Sequence, residues 1–520
     1  MKKRLIITAA IAALLLAGGC SGGTKKTDTD GSVVIDWVGQ CDSPVDSKSD
    51  IIAELEQKHG VKFNFIYLDR SKMDELMNIR IASGEIPDVF SVTSDSRYRE
   101  LIDQGVLSEI PEDKLKSAAP ELYKQTALEA GDDIWTAAKQ DGKIYGLPKL
   151  NYNGKYHYVP IWRDDWLKNV GIDKIPETVD EAEEALYRFV KNDPDRNGVD
   201  DTYGMSINGI KAILNAYGAH PLGYYWMKYN GKIEMSAVIP EMKEALTRLN
   251  KWYNDGIIDP EFITGENNGG HFANAASFYN GRIGFSNPGL PYHICPGFDD
   301  KDTGVSSNYT QFKAILGENA TYTWGKPLVG PAGKSGAEHW GVFAGDYVVT
   351  GRHVANDENK LDKILEIFES QCTDFDEYIL CKYGKEGRDW ESSDGAYTKL
   401  IEPRERQALG LEANGVQILA NNFDYYEKTL LPKQLEYYEE TGTNADLEHY
   451  SQAVWGALPS DTQYKSAVQR NIEENYYAFI SGARSIDEFD KWVEELNRAG
   501  LDTLRKEANE WYIEKYGKIE

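Results

Sequence analysis

The chain has 520 residues, with 84 acidic against 57 basic side chains and a formal net charge of −27 at pH 7. That excess argues against nucleic acid or an anionic lipid surface as partner and suits a soluble protein in a crowded setting. The length exceeds what one hydrophobic core usually serves, so at least two lobes are expected.

Lys2, Lys3 and Arg4 form a cationic head, Leu5 to Leu16 is a nearly unbroken apolar run, and Ala17-Gly18-Gly19-Cys20 follows. The run is shorter than the roughly 20 residues of a membrane-spanning helix. With its basic head and small-residue end it reads as an export signal over residues 1–19. A cysteine directly after small residues at the end of such a run resembles the lipobox of bacterial lipoproteins. The resemblance implies that Cys20 is acylated on its sulfur, as by palmitate, and becomes the first residue of the mature chain. Residues 20–32 are then the lipidated cysteine and a tether, since Ser21 to Asp30 is polar, rich in Gly, Ser and Thr, and without periodicity. Acyl chains contribute about 0.8 kcal/mol per buried methylene. The expected location is therefore extracytoplasmic, anchored to the cell membrane without spanning it.

Val33 to Val38 has strand composition, and Ser49 is placed to cap a helix carrying Ile51, Ile52 and Leu55, with Gly60 as its stop. Val61 to Leu68 alternates and is rich in β-branched and aromatic residues, a second strand. Ser71 is expected to cap the next helix, and Pro87 to Val92 forms a third strand before a helix around Tyr98 to Gln104. Strand and helix alternate, so this is an α/β lobe with ligands expected beyond the carboxyl ends of its strands. Of the remaining cysteines, Cys41, Cys295, Cys372 and Cys381, no two have C-x-x-C spacing. Cys372 and Cys381 either pair across a turn or stay as buried thiols.

Thr178 and Glu181 have capping-box spacing before an apolar stripe of Val179, Ala182, Leu186, Phe189 and Val190. That helix runs into Asp193-Pro194-Asp195-Arg196-Asn197-Gly198-Val199-Asp200-Asp201. Oxygen side chains at positions 1, 3 and 5, Gly at 6 and a carboxylate at 9 match the spacing of an EF-hand calcium loop. The expected ligands are the side chains of Asp193, Asp195, Asn197 and Asp201 and the carbonyl of Val199. Position 12 is Gly204 rather than Glu, so Asp201 would close the site, and calcium would act structurally by offsetting carboxylate repulsion.

Seven phrases in order carry a wider resemblance: Gly84 to Val89, Asp141 to Pro148, Trp162 to Gly171, Tyr253 to Phe262, Gly281 to Phe285, Gly330 to Lys334, and Tyr383 to Gly387. Behind a lipobox they resemble the extracellular solute-binding lipoproteins of bacterial ABC importers, of the large oligosaccharide-binding type. Alginate-oligosaccharide-binding proteins are among these relatives, and similar calcium loops occur in them. The resemblance implies an α/β, two-lobed periplasmic-binding-protein-like fold with hinge strands and extra C-terminal helices. Lobe 1 is expected over 33–148 plus 331–384 and lobe 2 over 149–330 plus 385–520. Crossings are expected near Pro148, Pro331 and Gly384, with the C-terminal helices outside the second lobe.

The implied function is capture of an oligosaccharide in the interlobe cleft and delivery to ABC permease subunits, by a monomer. Sugars present flat C–H faces that pack on rings, and hydroxyls that need paired partners. Trp37, Tyr152, Tyr225, Trp226, Trp324 and Trp340 are the aromatic candidates, and Gln40, Asp42, Asp95, Asn151 and Asn287 the polar ones. A uronate oligomer would require a cation such as Arg163 or Arg282 in the cleft. A peptide or other extended polar molecule is the rival ligand, and a surface scaffold or adhesion lipoprotein is the rival of another class. No enzyme is expected. Neither G-x-S-x-G nor H-E-x-x-H occurs, and Leu328 stands where the Gly333-Lys334-Ser335 stretch would need a glycine to be a P-loop. Any two of 84 acids could be named as a glycosidase pair; the resemblance is what argues against one.

Overall fold

The computed structural model describes residues 31–39, 43–220, 223–264, 275–298, 304–393, 396–412, 414–416, 418–444, 452–454 and 458–519. The export signal, Cys20, Gln40 and Asp42 lie outside the described residues.

The first lobe opens with β1 (Val33–Val38), α1 (Asp50–His59), β2 (Val61–Ile66), β3 (Val89–Val92) and α2 (Asp95–Asp103), and the chain leaves it through β4 (Gly146–Pro148). Strand β1 runs parallel to β2 from Val33 opposite Val61 to Val38 opposite Ile66. The Ser49 hydroxyl accepts from the Ile52 amide at 3.3 Å, and Ile51, Ile52 and Leu55 are buried as their spacing requires. At the second helix the cap differs from expectation. Asp69, not Ser71, accepts the Ser71 amide at 2.9 Å and caps a single tight turn, and the α-helix begins only at Met73.

The second lobe contributes β5 (Ile161–Arg163), α3 (Val179–Lys191), β6 (Tyr203–Met205), α4 (Pro240–Asn254), β7 (Ile283–Ser286) and β8 (Tyr322–Trp324). The expected capping box of α3 forms in both directions. Its stripe joins Trp162, Trp166, Trp252 and Phe285 in a second core. The chain returns to the first lobe as β9 (Tyr347–Thr350), antiparallel to both β3 and β4. Strand order is β2-β1-β3-β9-β4 in the first sheet and β8-β5-β7-β6 in the second. The carboxyl ends of the parallel strands and the start of β9 therefore share one edge of the first sheet.

Between the cores lies a tyrosine-rich hinge cluster that includes Tyr152, Tyr156, Tyr158, Phe423 and Tyr438, with Trp340 and Tyr426 packed against it. The outgoing and returning strands meet there as a bridge between His157 and His339. The segment after Gly384 departs from expectation. Leu411, Val416 and Leu419 sit in the first core, and α5 (Phe423–Glu427) and α6 (Pro432–Gly442) cover the hinge. The chain rejoins the second core only at Ala453 and Val454, followed by α7 (Asp461–Ser481) and α8 (Asp502–Tyr516). Sequence spacing defines an apolar face but not which of two cores receives it.

Cys295, Cys372 and Cys381 are buried free thiols. Burial pushes the Cys372 thiol up to about 12, and its Sγ donates to the Leu419 carbonyl at 3.4 Å. Among the described residues no helix is long and apolar enough to cross a membrane.

Candidate functional site

A cavity of 580 Å³ opens where the lobes and hinge meet. The first lobe supplies Ala130, Asp133, Ile134 and Ala137; the hinge supplies Gly154, Lys155 and the return segment His339 to Ala344; the second lobe supplies Tyr225, Gln452 and Tyr516. Its size is within the roughly 300–1,000 Å³ typical of ligand pockets.

The hinge wall is built by a compact turn. The Asn151 side-chain oxygen accepts from the Asn153 backbone N–H at 3.1 Å, while the Asn151 backbone N–H donates to the Val342 carbonyl at 2.8 Å. A Cβ on Gly154 would lie 1.9 Å from the Gly341 carbonyl oxygen, so only glycine lets the two hinge strands approach this closely. Lys155 follows and donates to Glu427 at 2.7 Å and to Glu439, whose Oε1 is 3.0 Å away. Burial opposes its charge, but the hydrogen bonds to Glu427 and Glu439 prevail and raise its pKa. Tyr152 and Tyr156 join the network, their hydroxyls 2.8 Å apart and each 3.1 Å from one of the two glutamates.

Two predicted aromatics face this cavity. The Tyr225 ring lies flat against His220, centroids 3.3 Å apart, and Trp340 donates its indole N–H to the Tyr158 hydroxyl at 2.9 Å. Each is half-buried, held in place by neighbouring rings, and also lines the cavity, so it offers the cleft part of an aromatic surface of the kind a sugar packs on. Other predicted residues serve the fold. Trp37 is wholly buried against Phe63 and Phe368, and Trp226 is buried in the second core, so neither can touch a ligand. Trp324 is half-buried on β8, away from the cavity. Asp95 is engaged by Arg99 at 3.2 Å and by the Tyr347 hydroxyl at 2.9 Å. Tyr152 is a hinge-core residue, and buried Asn287, with its amide nitrogen turned inward, donates to the Tyr158 and Val159 carbonyls at 3.2 Å. Arg163 and Arg282 are paired with Asp165 and Asp259, and neither lines the cavity.

Asp133, Lys155, His339, Gln452 and Tyr516 were not expected from the sequence. His339 adjoins the predicted Trp340, and Trp511, Tyr512 and Tyr516 recur at helical spacing, which marks an aromatic stripe without saying what it meets. In the structure Tyr516 packs on Trp511 and Tyr512, with centroids 6.1 and 4.7 Å away. Burial, then the charge of Asp133 on the opposite lobe, push its hydroxyl up to about 12. The C-terminal helix therefore reaches the cleft rather than staying outside the second lobe. A second cavity of 320 Å³ continues beyond Tyr516 and Ala137, lined by Arg99, Thr136, Lys139 to Gly142 and the helix residues Trp511, Glu514 and Lys515.

The acidic loop lies away from this cleft. Asp193 accepts the amides of Asn197 and Gly198 at 3.1 and 3.0 Å, and the Asn197 amide group donates to Asp195 at 2.9 Å and Asp201 at 3.3 Å. Gly198 has a φ of 78°, the left-handed turn the spacing predicted. Burial, then the nearby carboxylates of Asp193 and Asp201, raise the pKa of Asp195. Among the described residues no three His, Cys, Asp or Glu side chains converge as a metal cage. Here the Asn197 amide group occupies the place among the carboxylates that the spacing assigned to an ion, and the Val199 side chain is exposed.

Residues 42–344, more than half of the chain, match the family model for bacterial extracellular solute-binding proteins. Lipoprotein LipO of Bacillus subtilis is 26% identical over 96% of this chain and 97% of its own length. The fructooligosaccharide ABC transporter substrate-binding protein FusA of Streptococcus pneumoniae is 27% identical over 42% of this chain and 43% of its own. The solved structure of FusA with kestose superposes with a TM-score of 0.65 at 20% identity, covering 93% of this chain and 99% of that one. Alginate-binding protein AlgQ2, solved without calcium ion, gives 0.59 at 16% identity over 92% and 97%. These superpositions carry the two-lobed fold.

Proposed function

The chain belongs to the bacterial extracellular solute-binding proteins, and from that premise we propose that it captures an oligosaccharide between its lobes and hands it to an ABC permease. The observation that carries the reading is the 580 Å³ cavity, with Tyr225, Trp340 and Tyr516 brought together from the second lobe, the hinge and the C-terminal helix. A ligand stacked on these rings while touching Asp133 and Ile134 of the first lobe contacts both lobes. It therefore favours the closed form, the state a permease can tell from the open one. Attachment through Cys20 would keep the receptor beside its permease, and FusA, itself a transporter component by name, supports this reading.

We further propose that Asp193, Asp195, Asn197 and Asp201 hold calcium, with the Val199 carbonyl. The fit rests on the loop spacing and on the Asn197 amide group bridging Asp195 and Asp201; burial, then the carboxylates of Asp193 and Asp201, raise the pKa of Asp195. A cation there would neutralise the carboxylates and rigidify the end of α3. The test of function is thermal unfolding of the soluble chain from Ser21, in calcium, across neutral oligosaccharides, uronate oligosaccharides and peptides. A native-state ligand adds about 2.7 kcal/mol at a hundredfold excess over Kd. Stabilisation by a sugar series is expected; stabilisation by peptides alone would replace the reading.

A further inference from the structure

The two cavities share only Ala137 and Tyr516 among their lining residues. A single ring, near the end of α8 and braced by Trp511 and Tyr512, therefore stands between a larger chamber and a smaller one. The smaller chamber's 320 Å³ is at the lower end of the range for small-molecule pockets, suited to one or two ring units rather than a whole ligand. Its wall offers the half-buried Trp511 ring and polar groups. Its charges are uneven. Arg99 is held by Asp95 at 3.2 Å and donates to the Lys139 carbonyl at 2.6 Å, and Lys139 is paired with Glu112 at 2.8 Å. Asp141 and Glu514 form no ion pair among the described residues, and Lys515 is the one wall cation left without a carboxylate. In the larger chamber Asp133 is likewise unpaired, while Lys155 is bound to two glutamates. Unpaired carboxylates thus outnumber unpaired cations across both chambers, which disfavours a polyanionic ligand.

We propose that the smaller cavity is a second sugar subsite for an uncharged ring unit, and that Tyr516 is the threshold a neutral oligosaccharide must pass to fill it. This rests on the oligosaccharide reading above. Ligand length is then set by the C-terminal helix. The second ring gains hydrogen bonds and Trp511 contact only in chains long enough to extend beyond Tyr516.

The test is calorimetric titration of the full soluble chain, with calcium, against neutral fructo-, malto- and xylo-oligosaccharides of two to seven units and oligogalacturonates of the same lengths. In one neutral series affinity should step up about tenfold at the length that passes Tyr516. Lys515→Trp, at an exposed helix position, fills the smaller chamber and should abolish that step. Asp141→Asn with Glu514→Gln should narrow the gap between neutral and acidic series. Unliganded unfolding midpoints check that each variant is folded. Short sugars that bind with no step, or a step untouched by Lys515→Trp, would overturn the second subsite while leaving the receptor reading in place. Tighter binding of the galacturonates would overturn the neutral class. Binding of no sugar in any series would overturn the receptor reading and this inference with it.

Discussion

The hinge and the acidic loop both crowd carboxylates, and they resolve the crowding in opposite ways. At the hinge, Glu427 and Glu439 share Lys155 and two tyrosine hydroxyls, so the cluster carries its own counterion. In the loop, among the described residues, Asp193, Asp195 and Asp201 meet amide donors and no cation, and burial, then the neighbouring carboxylates, raise the pKa of Asp195. A cluster that is internally neutralised acts as structure, whereas one that is not is poised for a cation from outside. The hinge should therefore be sensitive to mutation and indifferent to ions, and the loop the reverse.

The largest effect should come from Gly154→Ala, which drives a methyl into the Gly341 carbonyl and pushes the hinge strands apart. A loss of about 3 kcal/mol is expected in urea unfolding; a loss below about 0.5 kcal/mol would show that the close approach is not required. Next is calcium: chelation should lower stability by about 2.7 kcal/mol relative to a hundredfold excess over Kd. Asp195→Asn with Asp201→Asn should remove that response, and a chelator effect that persists in this variant would place the ion elsewhere. Lys155→Met leaves two half-exposed glutamates without their cation. It should cost about 2 kcal/mol, discounted for solvent screening, with no change in calcium response.

The smallest effect, taken per pH unit, is a pH dependence at the hinge. Lys382 Nζ lies 4.0 Å from the Tyr426 ring centroid, and burial pulls its pKa down to about 7. An unfolded lysine titrates near 10.4, so between about pH 7 and 10 the unfolded chain binds the extra proton. Stability from this group therefore rises with pH across that window, by less than about 1.4 kcal/mol per unit. Urea midpoints from pH 7 to 9.5 should show the slope in the native chain and lose it in Lys382→Met. An equal slope in both would assign it to other groups.

Much of the fold was legible locally. Ser49, Thr178 and Glu181 cap their helices as their spacing indicated, because a cap needs only residues within one turn. The Asp69 cap was missed because Asp69 and Ser71 both carry cap-forming oxygens two positions apart, and backbone geometry chose between them. The site was less legible. Trp37, Trp226, Tyr225 and Trp340 are alike as sequence signals, yet the first two are buried in cores and the last two meet the cavity.

By itself the sequence determined the export and lipobox pattern, the alternating strands and helices of the first lobe, and the ligand-like spacing of Asp193 to Asp201. Each depends on neighbours a few residues apart or on plain composition. Tertiary structure alone decided that Leu411, Val416 and Leu419 pack in the first lobe and Phe423 and Tyr438 on the hinge, that Lys155 finds Glu427 and Glu439, and that Tyr516 stands in the cleft. The physical reason is that an amphipathic stripe states how much apolar surface must be covered, while the covering surface comes from residues hundreds of positions away.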